Sequence, residues 1–175
     1  MKKYVFLILL LFPLILSAQQ KASIGMGLDE VKKLYPGMRQ SQYENQITLI
    51  HPDTLYGLAS EWGYRFENNK LDWIYFSKYI DTLNETNFNK CLAATMHLIA
   101  DYSMEFGAPD TLIPGTLHFR DPYTDHHWGY DVIEARWNNA NGMKIKIEFT
   151  FMGGKGEYHL IVIVNYFDKN YPYFE

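Results

Sequence analysis

Every second residue from 143 to 151 is large and apolar: Met143, Ile145, Ile147, Phe149 and Phe151 alternate with Lys144, Lys146, Glu148 and Thr150. Successive side chains on an extended strand point to opposite faces, so this period describes a strand with one dry and one wet face, whereas a helical stripe returns every three to four residues. Such strands belong to antiparallel sheets covered on one side. The same period recurs where Trp62, Tyr64 and Phe66 alternate with Glu61, Gly63, Arg65 and Glu67. Asn68-Asn69 then turns the chain, and Leu71, Trp73 and Tyr75 are expected to continue the apolar face. Further strands are expected over 46–51, 111–120, 131–137 and 158–166, with turns at Asn141-Gly142 and at Gly153-Gly154-Lys155-Gly156. Aromatic residues make up 17% of the chain and fall mostly in these segments, where flat, bulky side chains pack best.

Two stretches carry the helical period instead. Leu28, Val31 and Leu34 share one face, Asp29 and Glu30 sit near the positive N-terminal end, and Pro36-Gly37 stops the helix. Over 87–106, Phe88, Leu92, Thr95, Ile99, Tyr102 and Phe106 recur at steps of four and three, and Gly107 with Pro109 ends the run. Each helix precedes a series of strands joined by short connections, the pattern of a meander. The expected fold is therefore α+β: two helix-plus-antiparallel-meander units, 24–84 and 85–168, sharing one sheet or packed side by side.

The N-terminus has the pattern of a secretory signal peptide over 1–18: Met1-Lys2-Lys3, an apolar run over 4–16, then Ser17-Ala18 before polar residues. The run is too short to span a bilayer, so no transmembrane segment is expected in the mature chain, which should be exported, periplasmic or secreted, and soluble after cleavage. Cleavage after Ala18 removes Lys2 and Lys3, lowering 16 basic side chains to 14 against 20 acidic ones. Without a basic stripe, nucleic acid is not an expected partner. Cys91 is the only cysteine, so no intrachain disulfide can form and packing alone must hold the fold.

The segment Ile24-Gly25-Met26-Gly27-Leu28-Asp29-Glu30-Val31-Lys32-Lys33-Leu34, followed by the hairpin Tyr64-Arg65-Phe66-Glu67-Asn68-Asn69-Lys70-Leu71, resembles the small-protein-A/outer-membrane-lipoprotein-A family. That resemblance implies the β-lactamase-inhibitor-protein-like fold, a helical segment packed on an antiparallel sheet in a unit that can occur twice. The helix from residue 87, with Gly107-Ala108-Pro109-Asp110 and its strands, looks like a second copy. The chain departs from the family in two ways. The lipid-acceptor cysteine of the lipoproteins is absent, and a single cysteine cannot supply the disulfides of the inhibitors. The resemblance implies a periplasmic or secreted binding module and carries over no catalytic residues.

The most polar constellation lies in a long connection between strands, Arg120-Asp121-Pro122-Tyr123-Thr124-Asp125-His126-His127-Trp128-Gly129-Tyr130-Asp131. Three readings stand side by side. It is a solvated loop; or a recognition loop with Tyr123, Asp125, His126, His127, Trp128 and Tyr130 as contacts; or a metal site drawn from its Asp and His residues, at a spacing that matches no compact metal signature. Cys91 lies on or beside an apolar helix stripe and reads as a small buried hydrophobe, and His97 as a surface residue. Nothing resembles a nucleophile elbow or a phosphate cradle, and no catalytic residue, metal or cofactor is expected. The sequon Asn84-Glu85-Thr86 is discounted for a bacterial-type leader. The aromatic set Trp62, Tyr64, Trp73 and Tyr75 reads first as core, unless some of it stands on an exposed sheet face.

Together these readings lead to an expected non-enzymatic binding module that recognises a protein or cell-envelope component through one sheet face and the loop at 123–130. The alternative is a small apolar ligand carrier with an aromatic-lined cavity between helix and curved sheet.

Overall fold

The computed structural model describes residues 22–115, 117–119, 133–154 and 157–171. In chain order the elements are α1 (Leu28–Leu34), β1 (Arg39–Tyr43), β2 (Gln46–Leu55), β3 (Leu58–Glu67), β4 (Lys70–Ile80), α2 (Glu85–Phe106), β5 (Thr111–Ile113), β6 (Ile133–Ala140), β7 (Met143–Gly154) and β8 (Glu157–Asp168). All eight strands form one antiparallel sheet in the order β1-β2-β3-β4-β8-β7-β6-β5. That order is two meanders joined where β4 pairs with β8, Ile74 opposite Tyr166 and Phe76 opposite Val164. Of the two arrangements expected, a shared sheet is therefore the one formed. Residues 1–18, read from the sequence as a signal peptide, lie outside the described residues.

Tight turns set the register. Asn68 and Asn69 both take left-handed backbone angles, φ 51° and 62°, and Asn141-Gly142 takes 53° and 84°, the geometry whose twist matches the flanking strands. β2 runs past its expected end through Pro52 to Leu55. Pro52 fits because the missing N–H points away from β3, toward the side where β1 has already ended at the Arg39–Ile50 pair.

Both helices lie on one face of the sheet. Glu30 Oε2 accepts the Gly27 N–H at 2.7 Å and caps α1, whose Val31 is fully buried and is followed by Tyr35 packed on the Tyr64 ring. Leu71 in β4 accepts from the Gly25 N–H at 2.7 Å and donates to the Met26 carbonyl at 2.8 Å, which ties the glycine-methionine segment to the sheet. On α2, capped by Asn84 Oδ1 accepting from the Asn87 N–H at 2.8 Å, the buried positions are Phe88, Cys91, Ala94, Thr95, Leu98 and Ile99. Phe88 meets the rings of Phe149 and Phe151, and Tyr102 those of Trp137 and Tyr166. Burying a side chain of this size contributes about 1.5–3 kcal/mol, so this aromatic layer is the main source of cohesion in a chain with no disulfide.

Three expectations are corrected. The strand expected over 111–120 stops at Ile113, because Pro114 has no N–H for the ladder and Gly115 turns with φ 56°. The polar residues of β1, a stretch outside the expected strands, form an edge strand with all five side chains exposed. Most consequentially, Leu71, Trp73 and Tyr75 do not share a face. Arg65 pairs with Trp73 but Phe66 pairs with Leu71, which leaves Asp72 as an extra residue in a β-bulge. The bulge reverses the alternation, so that Leu71, Ile74 and Phe76 enter the core while Trp73 and Tyr75 stand on the side away from the helices.

A candidate binding face on the helix-free side of the sheet

Among the described residues both helices cover the same side and none lies on the other, whose residues follow from the registers. One row crosses four strands as Arg65, Trp73, Phe167 and Lys144, each paired with the next. The row beside it runs Gly63, Tyr75, Asn165, Lys146 and Arg136. The first is a ladder of two aromatic rings with a cation at each end.

Its centre is Trp73. The Arg65 guanidinium lies 4.8 Å from the Trp73 ring centroid, a cation–π contact. Tyr75 packs at 4.7 Å between centroids and Phe167 stacks at 5.9 Å. The indole Nε1–H donates to Asn165 Oδ1 at 3.0 Å, which fixes the ring plane. Tyr171, just beyond β8, stacks on Phe167 at 4.4 Å, and its carbonyl accepts from Lys144 Nζ at 3.0 Å. Trp73 and Tyr75 are half-buried, and Tyr79, further along β4, is exposed.

Ion pairs hold the polar groups of this face. Asp72, pushed out by the bulge, grips Arg65 through Nε at 3.2 Å and Nη2 at 2.5 Å. Partial burial works against the Arg65 charge, but the Asp72 carboxylate outweighs it and raises the pKa above the ordinary arginine value. Toward β6, Glu134 is buried between Arg136 Nε at 2.5 Å and Lys146 Nζ at 3.0 Å, and Lys146 also reaches Glu148 at 2.6 Å. Burial would push the Glu134 carboxyl up, yet the two cations hold it below its ordinary value. Desolvation likewise opposes the Lys146 charge and is overcome by Glu148 and Glu134. This arrangement holds the half-buried Trp73 and Tyr75 rings among paired charges.

The expected contacts Tyr123, Asp125, His126, His127, Trp128 and Tyr130 lie outside the described residues, as do Asp121 and Asp131. Of the four aromatics read first as core, Trp62 and Tyr64 are core and Trp73 and Tyr75 are on the helix-free face. Cys91 is buried, and desolvation pushes its thiol up to about 11. His97 is exposed and stacks on Tyr56. Among the described residues no cluster of His, Cys, Asp and Glu could hold a metal, and no helix is long and apolar enough to cross a membrane. Arg65, Asn165, Phe167 and Tyr171 were not singled out from sequence, because only the bulge at Asp72 brings Trp73 to their face.

No family model matches this chain, and no curated protein or solved structure matches it.

Proposed function

We propose that the protein is an exported, non-enzymatic binding module that recognises a protein or cell-envelope component with the helix-free face of its sheet. The observation that carries this reading is the row Arg65, Trp73, Phe167 and Lys144, in which the half-buried Trp73 ring, seated against the buried Phe167, stands on the side away from the helices with a cation at each end of the row. A sheet of this size needs only one covered face for cohesion, and aromatic and arginine side chains are the residue types that anchor partners. Export follows from the leader pattern at 1–18, and the aromatic and polar residues at 123–130 are proposed from their sequence as further contacts. The carrier alternative receives less support, since the rings of Phe88, Phe119, Phe149 and Phe151 pack against one another between α2 and the sheet.

The test is capture from an envelope fraction by immobilised wild-type protein beside Trp73→Ala, Arg65→Gln, Trp128→Ala and, as a control on the helix side, Met104→Ala. A partner lost with the first two substitutions and retained with the control supports the reading. No partner, or one indifferent to Trp73 and Arg65, removes it. N-terminal sequencing of the exported product should begin at Gln19; an intact Met1 in the mature protein would remove the export part alone.

A further inference from the structure

The two edges of the sheet are built differently. At one end β5 has three residues and is stopped by Pro114, a short edge of the kind that discourages pairing. At the other end β1 has five residues, Arg39-Gln40-Ser41-Gln42-Tyr43, with no proline, lysine or bulge, and every side chain is exposed. Tyr43 is 73% exposed.

The register with β2 determines which backbone groups of β1 face outward. The two-residue turn closes on the pair Tyr43–Gln46, and hydrogen-bonded pairs then alternate, so Tyr43, Ser41 and Arg39 bond to β2. The N–H and C=O groups of Gln40 and Gln42 therefore point away from the sheet. Placed antiparallel against itself about Ser41, β1 matches in three respects. Gln40 meets Gln42 of the second copy as a hydrogen-bonded pair, and the reverse pair is identical by symmetry. The amide side chains of those residues, on the helix side, also face each other. On the helix-free side Arg39, whose guanidinium is held by Glu61 of β3 at 2.9 Å, is placed opposite Tyr43 of the second copy, so the two arginines stay apart. This register uses all five residues.

From this self-complementarity we infer that β1 is a homodimer edge: two copies pair through β1 about a two-fold axis at Ser41. The axis is perpendicular to the sheet, so the two sheets become one of twice the width with the helices on one side. The rows of Arg65, Trp73, Phe167 and Lys144 from both copies then lie on one continuous face, which presents any ligand of that face with two equivalent sites. An interface of five residues per copy is small, so the dimer is a weak, concentration-dependent one.

Sedimentation of the purified protein from about 10 µM to about 1 mM should show reversible dimerisation. Gln40→Pro removes an outward N–H and no bond to β2; by symmetry two hydrogen bonds are lost per dimer, and the dissociation constant should rise about thirtyfold with little change in thermal midpoint. Should that variant fail to fold, a second pair decides. Residues at a non-hydrogen-bonded antiparallel pair have Cα atoms about 4.5 Å apart, within disulfide range, so Ser41→Cys should cross-link to dimer under mild oxidant. Ala59→Cys, exposed on the same face away from the edge, should not, and Cys91 is buried. A wild type that stays monomeric at the highest concentration would overturn the inference. So would a Gln40→Pro dimer as tight as wild type, equal cross-linking of the two cysteine variants, or capture by β1 of a foreign extended peptide by an otherwise monomeric protein.

Discussion

The ring of Tyr75 lies across the backbone of Gly63, so close that a Cβ at that position would sit 2.2 Å from the ring. A tyrosine on β4 thus fills the gap left by the missing side chain on β3, and the glycine in turn lets the ring pack on Trp73 at a tilt of 41°.

Gly63→Ala should therefore expel Tyr75 from its place and cost about 1–3 kcal/mol in chemical unfolding. In a Tyr75→Ala background the same substitution should be close to neutral. Equal costs in both backgrounds would show that the ring is not what constrains Gly63.

Glu134 makes stability depend on pH in a definite direction. Its folded pKa lies below the ordinary 4.5 because Arg136 and Lys146 outweigh the opposing cost of burial. Its contribution is thus present above pH 4.5 and is lost as pH falls through the lower folded value. Glu134→Gln should destabilise by about 1–3 kcal/mol near neutrality, and its difference from wild type should shrink below pH 4.5. A difference constant from pH 3 to 7 would contradict the assignment.

The hydroxyls of Tyr102 and Tyr166 are hydrogen-bonded to each other between α2 and β8. Removing one leaves the other hydroxyl without this partner between α2 and β8, whereas removing both leaves two apolar rings. Tyr102→Phe and Tyr166→Phe should each cost about 1–2 kcal/mol, and the double variant less than their sum. Additive losses in a thermodynamic cycle would show the hydroxyls to be uncoupled.

Cys91 is inaccessible and its thiol is shifted up to about 11 by burial. At pH 8 the native protein should resist a water-soluble disulfide reagent, and modification should follow the unfolding transition. Rapid labelling of the folded chain would place the thiol at the surface.

Periodicity alone made the α+β class, the two helices and most strands legible, because core burial imposes its repeat directly on the residues that do the packing. β7 shows this best: Ile145, Ile147 and Phe149 are buried as their spacing requires. The α2 stripe was read slightly off centre. Leu92, Tyr102 and Phe106 are only half-buried, while Cys91, Ala94 and Leu98 are buried, since small residues and leucine at neighbouring positions give little contrast along a helix. The edge strand β1 was not legible at all. Both its faces meet water, so no apolar period distinguishes it from a loop.

What the sequence determined by itself is which segments are extended or helical and which of their faces seek the core, because that information resides in local spacing. Only the tertiary structure decided that the two meanders join through β4 and β8, and that Trp73 and Tyr75 leave the core for the row with Arg65 and Phe167. Both depend on pairings between residues far apart in the chain, and one unpaired residue, Asp72, suffices to exchange the two faces of a strand.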